Sequence, residues 1–497
     1  MNAPSAKLPS LDVVLQGIAN APAMPISDLT LDARTVCKGG AFLARKGTQA
    51  HGLQFADQAV QRGASAILYE PAEGEELPAS ANVVALPVPA MGEHLGEIAA
   101  RFFGAPSQNL ALTAITGTNG KTTVAWLLAN ALQAAGLPSA YMGTIGRGFP
   151  DALQDQSLTT PDVIECSRAI REFLEAGAEH VVMEASSHAL DQERLQGLKV
   201  ACAVFTNLSQ DHFDYHGSLT SYQAAKARLF SREGLEHRVI NIDTDFGREL
   251  ANSYPNSLEV SALGRVSDSA QFICVKTAEF QSDGIRATIE THLGELNLRS
   301  GLLGTFNLEN LSNALGALLA LGLPLNEAGR ALSQVQAPAG RMQRIQAGGW
   351  MGAEIVVDFA HTPAGLEAVL KALRAHAGGD LWLVFGCGGD RDRAKRALMG
   401  ELAFELADYQ IVTSDNPRSE SPLAIAEDVL GGFENTRHAT VLLDRREAIR
   451  FALSEAGAGD TVLIAGKGHE STQEIAGVKT EFDDVRIAES IARELAA

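Results

Sequence analysis

The hydrophobic pattern of the chain alternates short apolar runs with stretches of helical periodicity. Apolar runs at residues 112–115, 180–184 and 203–207 predict buried strands, and residues 124–132 predict a helix. Strands that alternate with helices form parallel sheets, which bind their ligands where the strands end. Between residues 259 and 298 the pattern changes to a period of two, which predicts an antiparallel patch.

The segments on either side repeat this alternation. Residues 1–108 combine short strands with helices, which indicates a small α/β domain. From residue 341 a further α/β unit begins, and its predicted strands all end in Asp, Gly or Thr: residues 355–358, 381–386, 409–413 and 461–466. A chain of 497 residues is too long for one ordinary core. The predicted domains are residues 1–108, 109–340 and 341–497.

Composition and charge narrow the class of protein. The formal charge of −20 argues against a nucleic-acid partner, because phosphate backbones require a basic surface. No apolar run is long enough to span a bilayer, and residues 1–10 lack the pattern of a secretory signal. The five cysteines form no Cys-x-x-Cys pair and are typical of reduced core residues. We expect a cytoplasmic monomer without membrane insertion.

A glycine-bearing loop between the strand at 112–115 and the helix at 124–132 predicts a phosphate site. It runs Gly117, Thr118, Asn119, Gly120, Lys121, Thr122, Thr123. Loop amides and the helix N-terminus attract phosphate, Lys121 adds a full charge, and Thr122 offers a hydroxyl to Mg2+. Ile115 stands where the usual spacing has glycine, so the loop is a shortened variant. The alternative is a glycine turn with a chance lysine.

Further motifs along the chain resemble those of the Mur ligases, ATP-dependent amide-forming enzymes of peptidoglycan precursor synthesis. Besides the loop, they are Met-Glu-Ala-Ser-Ser-His at 183–188, Asp-His-Phe-Asp-Tyr-His-Gly at 211–217, Gly-Thr-Phe-Asn-Leu-Glu-Asn at 304–310, Ala-Gly-Arg-Met at 339–342 and Val-Asp-Phe-Ala-His-Thr-Pro at 357–363. The resemblance implies three α/β domains: a small N-terminal domain, a central P-loop-type parallel-sheet ATPase domain with the antiparallel patch, and a C-terminal Rossmann-like domain.

The resemblance also implies an ATP site that the central and third domains share. In addition to residues 117–123, it assigns to ATP the residues Asn307, Asn310, Arg341, Asp358 and His361. Asn307 and Asn310 are also placed to cap a helix. The catalytic set is Lys121, Glu184, His212 and Lys226.

Two Mg2+ ions would bring a carboxylate to a triphosphate despite their mutual repulsion. The expected metal ligands are Thr122, Glu184, His212 and Lys226, the last as a carbamate formed with CO2. The alternatives are a helix-capping carboxylate for Glu184, an ordinary loop histidine for His212 and an exposed helical lysine for Lys226.

The implied acceptor is UDP-N-acetylmuramoyl-dipeptide, bound between the first and second domains. The resemblance assigns to it Leu31, Ala33, Thr48, Gln49, Ala50, Thr159, Thr160, Ser186, Gln192 and Arg194. Two positions depart from many relatives: Ala33 replaces a serine, and Leu158 replaces an asparagine. The departures put one uridine-side and one peptide-side hydrogen bond in doubt.

The implied amine is meso-2,6-diaminopimelate, which carries a distal ammonium and carboxylate. A guanidinium grips a carboxylate bidentately, so Arg418 fits diaminopimelate better than lysine. The predicted amine site is Arg391, Asp415, Asn416, Pro417, Arg418, Gly466 and Glu470. The alternative is that Arg418 is a turn arginine in a surface salt bridge.

Other functions stay open at this point. A P-loop switch or motor would need no amine site. A dinucleotide oxidoreductase is suggested by the glycines of residues 385–390, but Arg391 stands where the third glycine of that motif belongs. A lysine-adding Mur ligase and folylpolyglutamate synthase share the loop variant.

Overall fold

The computed structural model describes residues 8–47, 50–72, 77, 83–209, 213–267 and 269–496. The predicted site residues Thr48, Gln49 and His212 lie outside the described residues. The described residues form two compact units. The first lies within Met1–Gly117, Leu137–Val204 and Gln210–Arg238, and the second within Thr118–Gly136, Phe205–Ser209 and Val239–Ala497.

The strands of the described residues, in chain order, are β1 Leu29–Thr30, β2 Ala41–Ala44, β3 Ala66–Tyr69, β4 Val84–Pro87, β5 Ala111–Thr116, β6 Ser139–Gly143, β7 Gly146–Gly148, β8 His180–Glu184, β9 Cys202–Phe205, β10 His237–Asn241, β11 Leu258–Ser261, β12 Phe272–Gln281, β13 Gly284–Thr291, β14 Gly294–Ser300, β15 Gln343–Ile345, β16 Glu354–Asp358, β17 Leu381–Phe385, β18 Tyr409–Val412, β19 Ala439–Val441, β20 Thr461–Ala465, β21 Thr472–Ile475 and β22 Val478–Glu481.

The helices of the described residues are α1 Leu11–Val14, α2 Ala56–Gln61, α3 Met91–Phe103, α4 Lys121–Ala134, α5 Val163–Glu175, α6 Ser187–Asp191, α7 Phe213–His216, α8 Leu219–Ala227, α9 Asp245–Ser253, α10 Thr305–Ala320, α11 Leu325–Gln334, α12 Pro363–Arg374, α13 Ala394–Leu406, α14 Pro422–Leu430, α15 Arg445–Glu455 and α16 Asp484–Ala496.

The first unit contains a small parallel sheet and a run of strands around β5. The small sheet has the order β1-β2-β3-β4, with every neighbouring pair parallel. In the other run the order is β9-β5-β8-β6-β7, in which β8 is parallel to both β5 and β6. Helices α3 and α5 pack against each other beside the small sheet, and their apolar faces close its core. Glu184, the last residue of β8, therefore lies at the carboxyl edge of parallel strands, as predicted.

The second unit contains the antiparallel patch and a six-stranded sheet. β12, β13 and β14 pair antiparallel, which confirms the period-two prediction, and β10 and β11 continue that sheet in parallel. The six-stranded sheet has the order β15-β16-β20-β17-β18-β19, and β15 alone among its strands is antiparallel to its neighbour. Apolar clusters cover both faces of this sheet, which is the usual burial of parallel strands rich in Val, Ile and Leu.

The structure bears on the predictions about membrane spans and cysteines. None of the described helices is long and apolar enough to cross a lipid bilayer. All five cysteines are free, and Cys166, Cys202, Cys274 and Cys387 are buried. Cys37 is exposed, so the prediction of a core position is wrong for that residue. It lies in the turn that leads into β2, where the polar side chains of Ser27 and Asp28 surround its thiol.

Candidate active site

The glycine-bearing loop of residues 117–123, called the phosphate loop from here on, turns into α4 through Gly120. This residue has a φ of +83°, in the left-handed region that glycine adopts without strain, and it is the N-cap of α4. Lys121 is the first residue of the helix, and its Nζ donates to the main-chain oxygen of Thr118 across 2.9 Å. Thr122 and Thr123 follow on the same turn and are buried. The loop thus presents an ammonium at a helix N-terminus, as the sequence predicted.

The residues that follow β9 hold the phosphate loop in place. Thr206 Oγ1 donates to the main-chain oxygen of Asn119 at 2.6 Å, and the main-chain N–H of Asn119 donates to Asn207 Oδ1 at 2.9 Å. The main-chain N–H of Thr118 donates to the main-chain oxygen of Asn207 at 2.8 Å. The sequence did not predict a role for Thr206 or Asn207. Their position directly after a strand, on the edge where ligands bind, was the available signal.

Asn307 and Asn310 lie on the first turns of α10, and the structure brings Asn310 to the phosphate loop. A Cβ atom at Gly120 would clash with Asn310 Oδ1, so a larger residue at this position would displace the Asn310 amide in addition to straining φ. Asn310 Nδ2 donates to Asn307 Oδ1 at 2.9 Å, and Asn307 Nδ2 donates to the main-chain oxygen of Leu303 at 2.7 Å. The N-cap residue of α10 is Gly304, so the helix-cap alternative is wrong for both asparagines.

Glu184 is fully buried in the first unit, where neutral donors hold its carboxylate. Tyr141 Oη donates to Oε1 at 2.6 Å, and the main-chain N–H of Thr144 donates to the same oxygen at 2.8 Å. Thr144 Oγ1 donates to Oε2 at 3.2 Å. A Cβ atom at Gly143 would clash with both Glu184 Oε1 and Tyr141 Oη. The helix-cap alternative for Glu184 is wrong, because Ser186 caps α6.

The residues assigned to the sugar-peptide end of the acceptor form one network next to Glu184. Thr160 Oγ1 donates to the main-chain oxygen of Glu184 at 2.7 Å, and Arg194 Nη1 donates to the main-chain oxygen of Thr160 at 2.7 Å. Arg194 Nη2 also donates to Gln192 Oε1 at 2.8 Å. Thr160 and Ser186 are joined through the main-chain N–H of Ser186 at 3.1 Å.

Thr159 and Leu158 precede Thr160 in the chain. The hydroxyls of Thr159 and Thr144 lie 3.1 Å apart, so Thr159 belongs to the same network. The side chain of Leu158, which replaces an asparagine of many relatives, is 49% exposed.

Of the residues assigned to the uridine end, the described ones, Leu31, Ala33 and Ala50, lie in loops that follow β1 and β2. Leu31 and Ala33 are in the turn after β1, and Ala33 is buried with 4% exposure. This turn is closed by Thr30, whose hydroxyl accepts from the main-chain N–H of Asp32 at 3.0 Å. Ala50 is in the loop after β2, where its main-chain oxygen accepts from the N–H of Gly47 at 2.9 Å.

Lys226 is buried on α8, which excludes the alternative of an exposed helical lysine. Its exposure is 1%, and its Nζ donates to the main-chain oxygen of Gly117 at 2.6 Å. The same nitrogen lies 4.3 Å from the centre of the Tyr222 ring, a favourable cation–π distance. The lysine therefore reaches the first glycine of the phosphate loop.

Arg341, Asp358 and His361 come together at the carboxyl end of β16. Asp358 accepts from the main-chain N–H groups of Met342 and Ala360, both at 2.7 Å, and burial raises the pKa of its carboxyl group. The Arg341 guanidinium lies 4.8 Å above the Phe359 ring. His361 Nδ1 lies 2.9 Å from the main-chain oxygen of Phe359. Asp358 thus anchors the loop that carries Arg341.

The predicted amine site assembles at the carboxyl ends of β18 and β20. Asn416 Nδ2 donates to Glu470 Oε2 at 2.8 Å, and Asp415 Oδ1 accepts from the main-chain N–H of Asn416 at 2.7 Å. Burial raises the pKa of Asp415. Gly466 has a φ of +113° and lies so close to Asp415 that a Cβ atom would press on its carboxylate. Carboxylates and an amide therefore line one part of this site.

Two arginines lie in the other part of the predicted amine site, beside Gly388. Arg418 Nη1 donates to the main-chain oxygen of Gly389 at 2.8 Å, and a Cβ atom at Gly388 would contact both Arg418 and Arg391. Arg418 has a φ of +53°, so this residue adopts a strained backbone at the site. The main-chain oxygen of Pro417 lies against Gly389, where a side chain would clash with it. Arg418 is only partly exposed, which disfavours the surface salt-bridge alternative.

Known proteins match this chain over nearly its whole length. A diaminopimelate ligase named UDP-N-acetylmuramoyl-L-alanyl-D-glutamate--2,6-diaminopimelate ligase from Pseudomonas aeruginosa is 47% identical over 464 residues, which cover 93% of this chain and 94% of that protein. The chain belongs to the Mur ligase family. The Mur ligase family, catalytic domain matches residues 25–103, the Mur ligase middle domain residues 115–319, and the Mur ligase, glutamate ligase domain residues 340–468.

Solved structures of Mur ligases and their relatives agree with the fold. A structure titled as the same 2,6-diaminopimelate ligase has a TM-score of 0.73 and 36% identity, and covers 98% of this chain and 99% of the other. Mycobacterium tuberculosis folylpolyglutamate synthase complexed with ADP has a TM-score of 0.59 and 18% identity, covers 74% of this chain and 90% of the other, and shares the fold. The predictions of a Mur ligase, an amide-forming enzyme and a three-domain α/β fold are confirmed.

The predicted amine site is supported by residues that the sequence did not reveal. Arg445 and Asp484 form a fully buried ion pair at 2.7 Å. Arg445 Nη2 donates to the main-chain oxygen of Ala465 at 2.9 Å and thereby fixes the end of β20. Lys467 is also fully buried, and its Nζ donates to the main-chain oxygen of Thr472 at 2.6 Å. Burial of such an ion pair costs desolvation energy. Here the guanidinium also holds the main-chain oxygens of Ser414 and Ala465, which lie beside the predicted amine site.

Glu420 holds the glycine loop that carries Arg391. It accepts from the main-chain N–H of Asp390 at 2.6 Å and from Arg396 Nη2 at 2.8 Å. The Arg396 guanidinium lowers the pKa of Glu420 to about 2, so the pair stays charged across the physiological range. Arg396 itself is fully buried. The sequence signal for this role was the cluster of charges at residues 390–396.

The residues present suit a nucleoside triphosphate with Mg2+. Among the described residues, Arg341 Nε is buried without a hydrogen-bond partner, which fits a guanidinium that receives a phosphate oxygen. Glu184 and Thr122 offer the hard oxygen ligands that Mg2+ prefers. The structure describes no group of three His, Cys, Asp or Glu side chains that could hold a metal, and the expected ligand His212 lies outside the described residues.

Proposed function

We propose that this Mur ligase uses ATP and Mg2+ to join meso-2,6-diaminopimelate to the D-glutamate of UDP-N-acetylmuramoyl-L-alanyl-D-glutamate, in cytoplasmic peptidoglycan precursor synthesis. The names of the Pseudomonas aeruginosa relative and of the solved ligase support this substrate pair. The observation that carries the proposal is the amine site, where Arg418 and Arg391 lie beside Gly388 and two carboxylates lie nearby. We also propose the domain boundaries 1–108, 109–340 and 341–497.

The reaction has two bond-forming steps. A carboxylate oxygen of the D-glutamate attacks the γ-phosphorus of ATP, ADP leaves, and an acyl phosphate forms. The amine nitrogen of diaminopimelate then attacks the acyl carbon, inorganic phosphate leaves, and the amine proton passes to solvent or a nearby base. Phosphoryl transfer of this type depends on positioning and on charge neutralisation. Mg2+, when bound, neutralises the negative charge of the triphosphate and of the incoming carboxylate.

The phosphate loop and its neighbours are assigned to the nucleotide. Lys121 and the loop amides hold the phosphates, and Asn310 packs against the loop at Gly120. Arg341 offers its unpartnered Nε to a phosphate oxygen, and Asp358 keeps Arg341 in place through the main-chain N–H of Met342. The folylpolyglutamate synthase of the same fold is complexed with ADP, which supports nucleotide binding by this chain.

Four residues are assigned to Mg2+. The proposed Mg2+ ligands are Thr122, Glu184, His212 and Lys226. Lys226 would bind the metal as a carbamate, because an ammonium repels Mg2+ whereas a carbamate offers it an anionic oxygen. Its burial supports this role, since a fully buried lysine is rare unless it is paired or modified.

Recognition of the amine would make lysine a poor substrate. The distal carboxylate of diaminopimelate is assigned to Arg418 and Arg391, and its distal ammonium to Asp415, Glu470 and Asn416. A guanidinium binds a carboxylate through two parallel hydrogen bonds, and lysine lacks the carboxylate that would complete them. The two arginines would then face each other without an anion, so lysine should bind poorly.

A phosphate-release assay tests the proposal. The purified protein is given ATP, Mg2+ and the UDP-dipeptide, with either meso-diaminopimelate or L-lysine as the amine. We expect release of phosphate with diaminopimelate, and a kcat/KM at least about 100-fold lower with lysine, because one charge-assisted bidentate contact is lost. Equal rates with both amines would overturn the diaminopimelate assignment. Phosphate release without the UDP-dipeptide would instead favour a nucleotide switch.

A further inference from the structure

A carboxylate on α10 controls an asparagine that touches the phosphate loop. Glu309 Oε1 accepts from Asn207 Nδ2 at 2.9 Å, and Asn207 Oδ1 accepts from the main-chain N–H of Asn119 at 2.9 Å. Asn119 lies between Thr118 and Gly120, in the part of the loop that leads into α4. The side chain of Asn207 therefore connects a glutamate outside the loop to a main-chain amide inside it.

The two hydrogen bonds determine which way the Asn207 amide faces. A side-chain amide has an oxygen that accepts and an NH2 group that donates, and the two ends look alike in shape. The Asn119 N–H requires the oxygen, and the ionised Glu309 carboxylate, which can only accept, requires the NH2 group. A flipped amide would set donor against donor at Asn119 and acceptor against acceptor at Glu309, leaving both contacts unsatisfied. Burial raises the pKa of Glu309 to about 7, so the carboxylate is fully ionised only in mildly alkaline solution.

The same region has two further contacts that depend on this loop conformation. Thr206 Oγ1 donates to the main-chain oxygen of Asn119 at 2.6 Å, so the main-chain N–H and the main-chain oxygen of Asn119 are both held by residues after β9. Thr118 Oγ1 accepts from the main-chain N–H of Ser209 at 3.0 Å. Residues 206, 207 and 209 thus hold the phosphate loop by hydrogen bonds, and Glu309 contacts the loop through Asn207.

We propose that Glu309 is a positioning residue for the nucleotide: by orienting the Asn207 amide it fixes the peptide of Asn119 and holds the phosphate loop ready for ATP. The proposal rests on the proposed function, since it assigns the loop to ATP. Glu309 does not touch the nucleotide in this scheme, and its effect passes through Asn207. Preorganisation of this kind lowers the cost of ordering the loop when the ligand binds.

Reversing the polarity of the hydrogen bond gives a sharp test, carried out from about pH 7.5 to 9.5 because a second carboxylate beside Glu309 raises the pKa of the pair further. In Asn207→Asp, a carboxylate oxygen still accepts from Asn119, but it faces the Glu309 carboxylate. The hydrogen bond between them is lost at the alkaline end of that range, where the pair has released its shared proton. We expect the KM for ATP to rise about tenfold, while the KM values for the UDP-dipeptide and the amine change less than about twofold. In the double variant Asn207→Asp with Glu309→Gln, the glutamine NH2 donates to the carboxylate introduced at position 207. The KM for ATP should then return to within about threefold of the wild type.

The KM for ATP is also measured in two single variants of Glu309 and in one surface control. Glu309→Gln can still accept from Asn207 through its amide oxygen and should raise the KM for ATP only slightly, whereas Glu309→Leu should raise it about tenfold. Glu401→Gln, on the exposed side of α13, should leave every constant unchanged. Thermal unfolding of each variant shows that the protein is folded.

The outcomes separate this inference from the proposed function. Binding of a fluorescent ADP analogue is measured beside turnover, since it does not depend on which amine is used. If the Asn207→Asp and Glu309→Leu variants bind the analogue as tightly as the wild type, or if the double variant is no better than Asn207→Asp, the inference is overturned. If the wild type binds the analogue but does not respond to diaminopimelate, the amine assignment fails and the test of Glu309 can still be read.

Discussion

Lys226 Nζ donates a hydrogen bond of 2.6 Å to the main-chain oxygen of Gly117. This contact joins α8 to the residue at which β5 gives way to the phosphate loop. Gly117 has a φ of +155°, a backbone conformation that favours glycine. A buried ammonium and a carbonyl of the phosphate loop are therefore neighbours before any modification of the lysine.

The Lys226→Ala variant tests the carbamate. We expect kcat to fall about 100-fold or more, because an anionic metal ligand and the contact to Gly117 are both lost. Bicarbonate should restore part of the activity by supplying an oxygen anion in the vacated space. The rate of phosphate release is measured with and without bicarbonate. Lys199→Ala, which alters an exposed ion pair with Glu236, is the matched control and should keep full activity. Full activity of Lys226→Ala without additives would remove the proposed role.

Gly143→Ala tests the position of Glu184 without changing any charge. The added methyl group would collide with Glu184 Oε1 and Tyr141 Oη, so the carboxylate must move. Because Glu184 is assigned to Mg2+, we expect a higher Mg2+ concentration for half-maximal activity and a kcat about tenfold lower or more. The measurement is a Mg2+ titration of phosphate release. Gly301→Ala, where a Cβ atom meets open space, should behave as the wild type. An unchanged Mg2+ requirement in Gly143→Ala would argue against Glu184 as a metal ligand.

The sequence predicted the elements and their ends better than the contacts between distant residues. Glu184 and Asp415 could be placed at a ligand-binding edge, because strand ends and their polar residues are local signals. The contact of Asn207 with Glu309 spans 102 positions, and no local pattern indicates it. Arg445 and Asp484 could not be paired from the sequence for the same reason. A charged residue in a helix is expected at the surface from sequence alone, and here both are buried.

Arg418→Ala should weaken recognition of diaminopimelate selectively. The variant loses the fork assigned to the distal carboxylate, so we expect its KM for diaminopimelate to rise on the order of 30-fold or more, with little change in the KM for ATP. Arg418→Lys keeps the charge but not the fork, and should recover only part of the affinity. Arg437→Ala, an exposed arginine after α14, is the control. Equal effects on the KM values for ATP and diaminopimelate would contradict the assignment of Arg418.

His376 gives the second unit a pH-dependent stability. Its Nδ1 lies 2.6 Å from the main-chain oxygen of Gln281, at the end of β12, and its Nε2 accepts from the main-chain N–H of Gly304 at 2.9 Å. Both contacts are satisfied by the neutral ring with the proton on Nδ1. Protonation of Nε2 would replace the bond to Gly304 by two opposed donors. Burial lowers the pKa of His376 from its ordinary value near 6.5, and the positive charge of Arg344 acts in the same direction.

The sign of the effect follows from proton binding. Between the lowered folded pKa and the unfolded value near 6.5, the unfolded chain binds more protons than the folded chain, so stability rises with pH. The contribution of His376 is fully present above pH 6.5 and is lost as the pH falls through the folded pKa. We expect the difference in Tm between the wild type and His376→Gln to be largest at about pH 7.5 and to shrink by about 2 °C at about pH 5.5. The exposed His438→Gln serves as the control. A difference that stays constant from about pH 7.5 to 5.5 would show that His376 binds protons equally in the folded and unfolded states, and would contradict the lowered pKa.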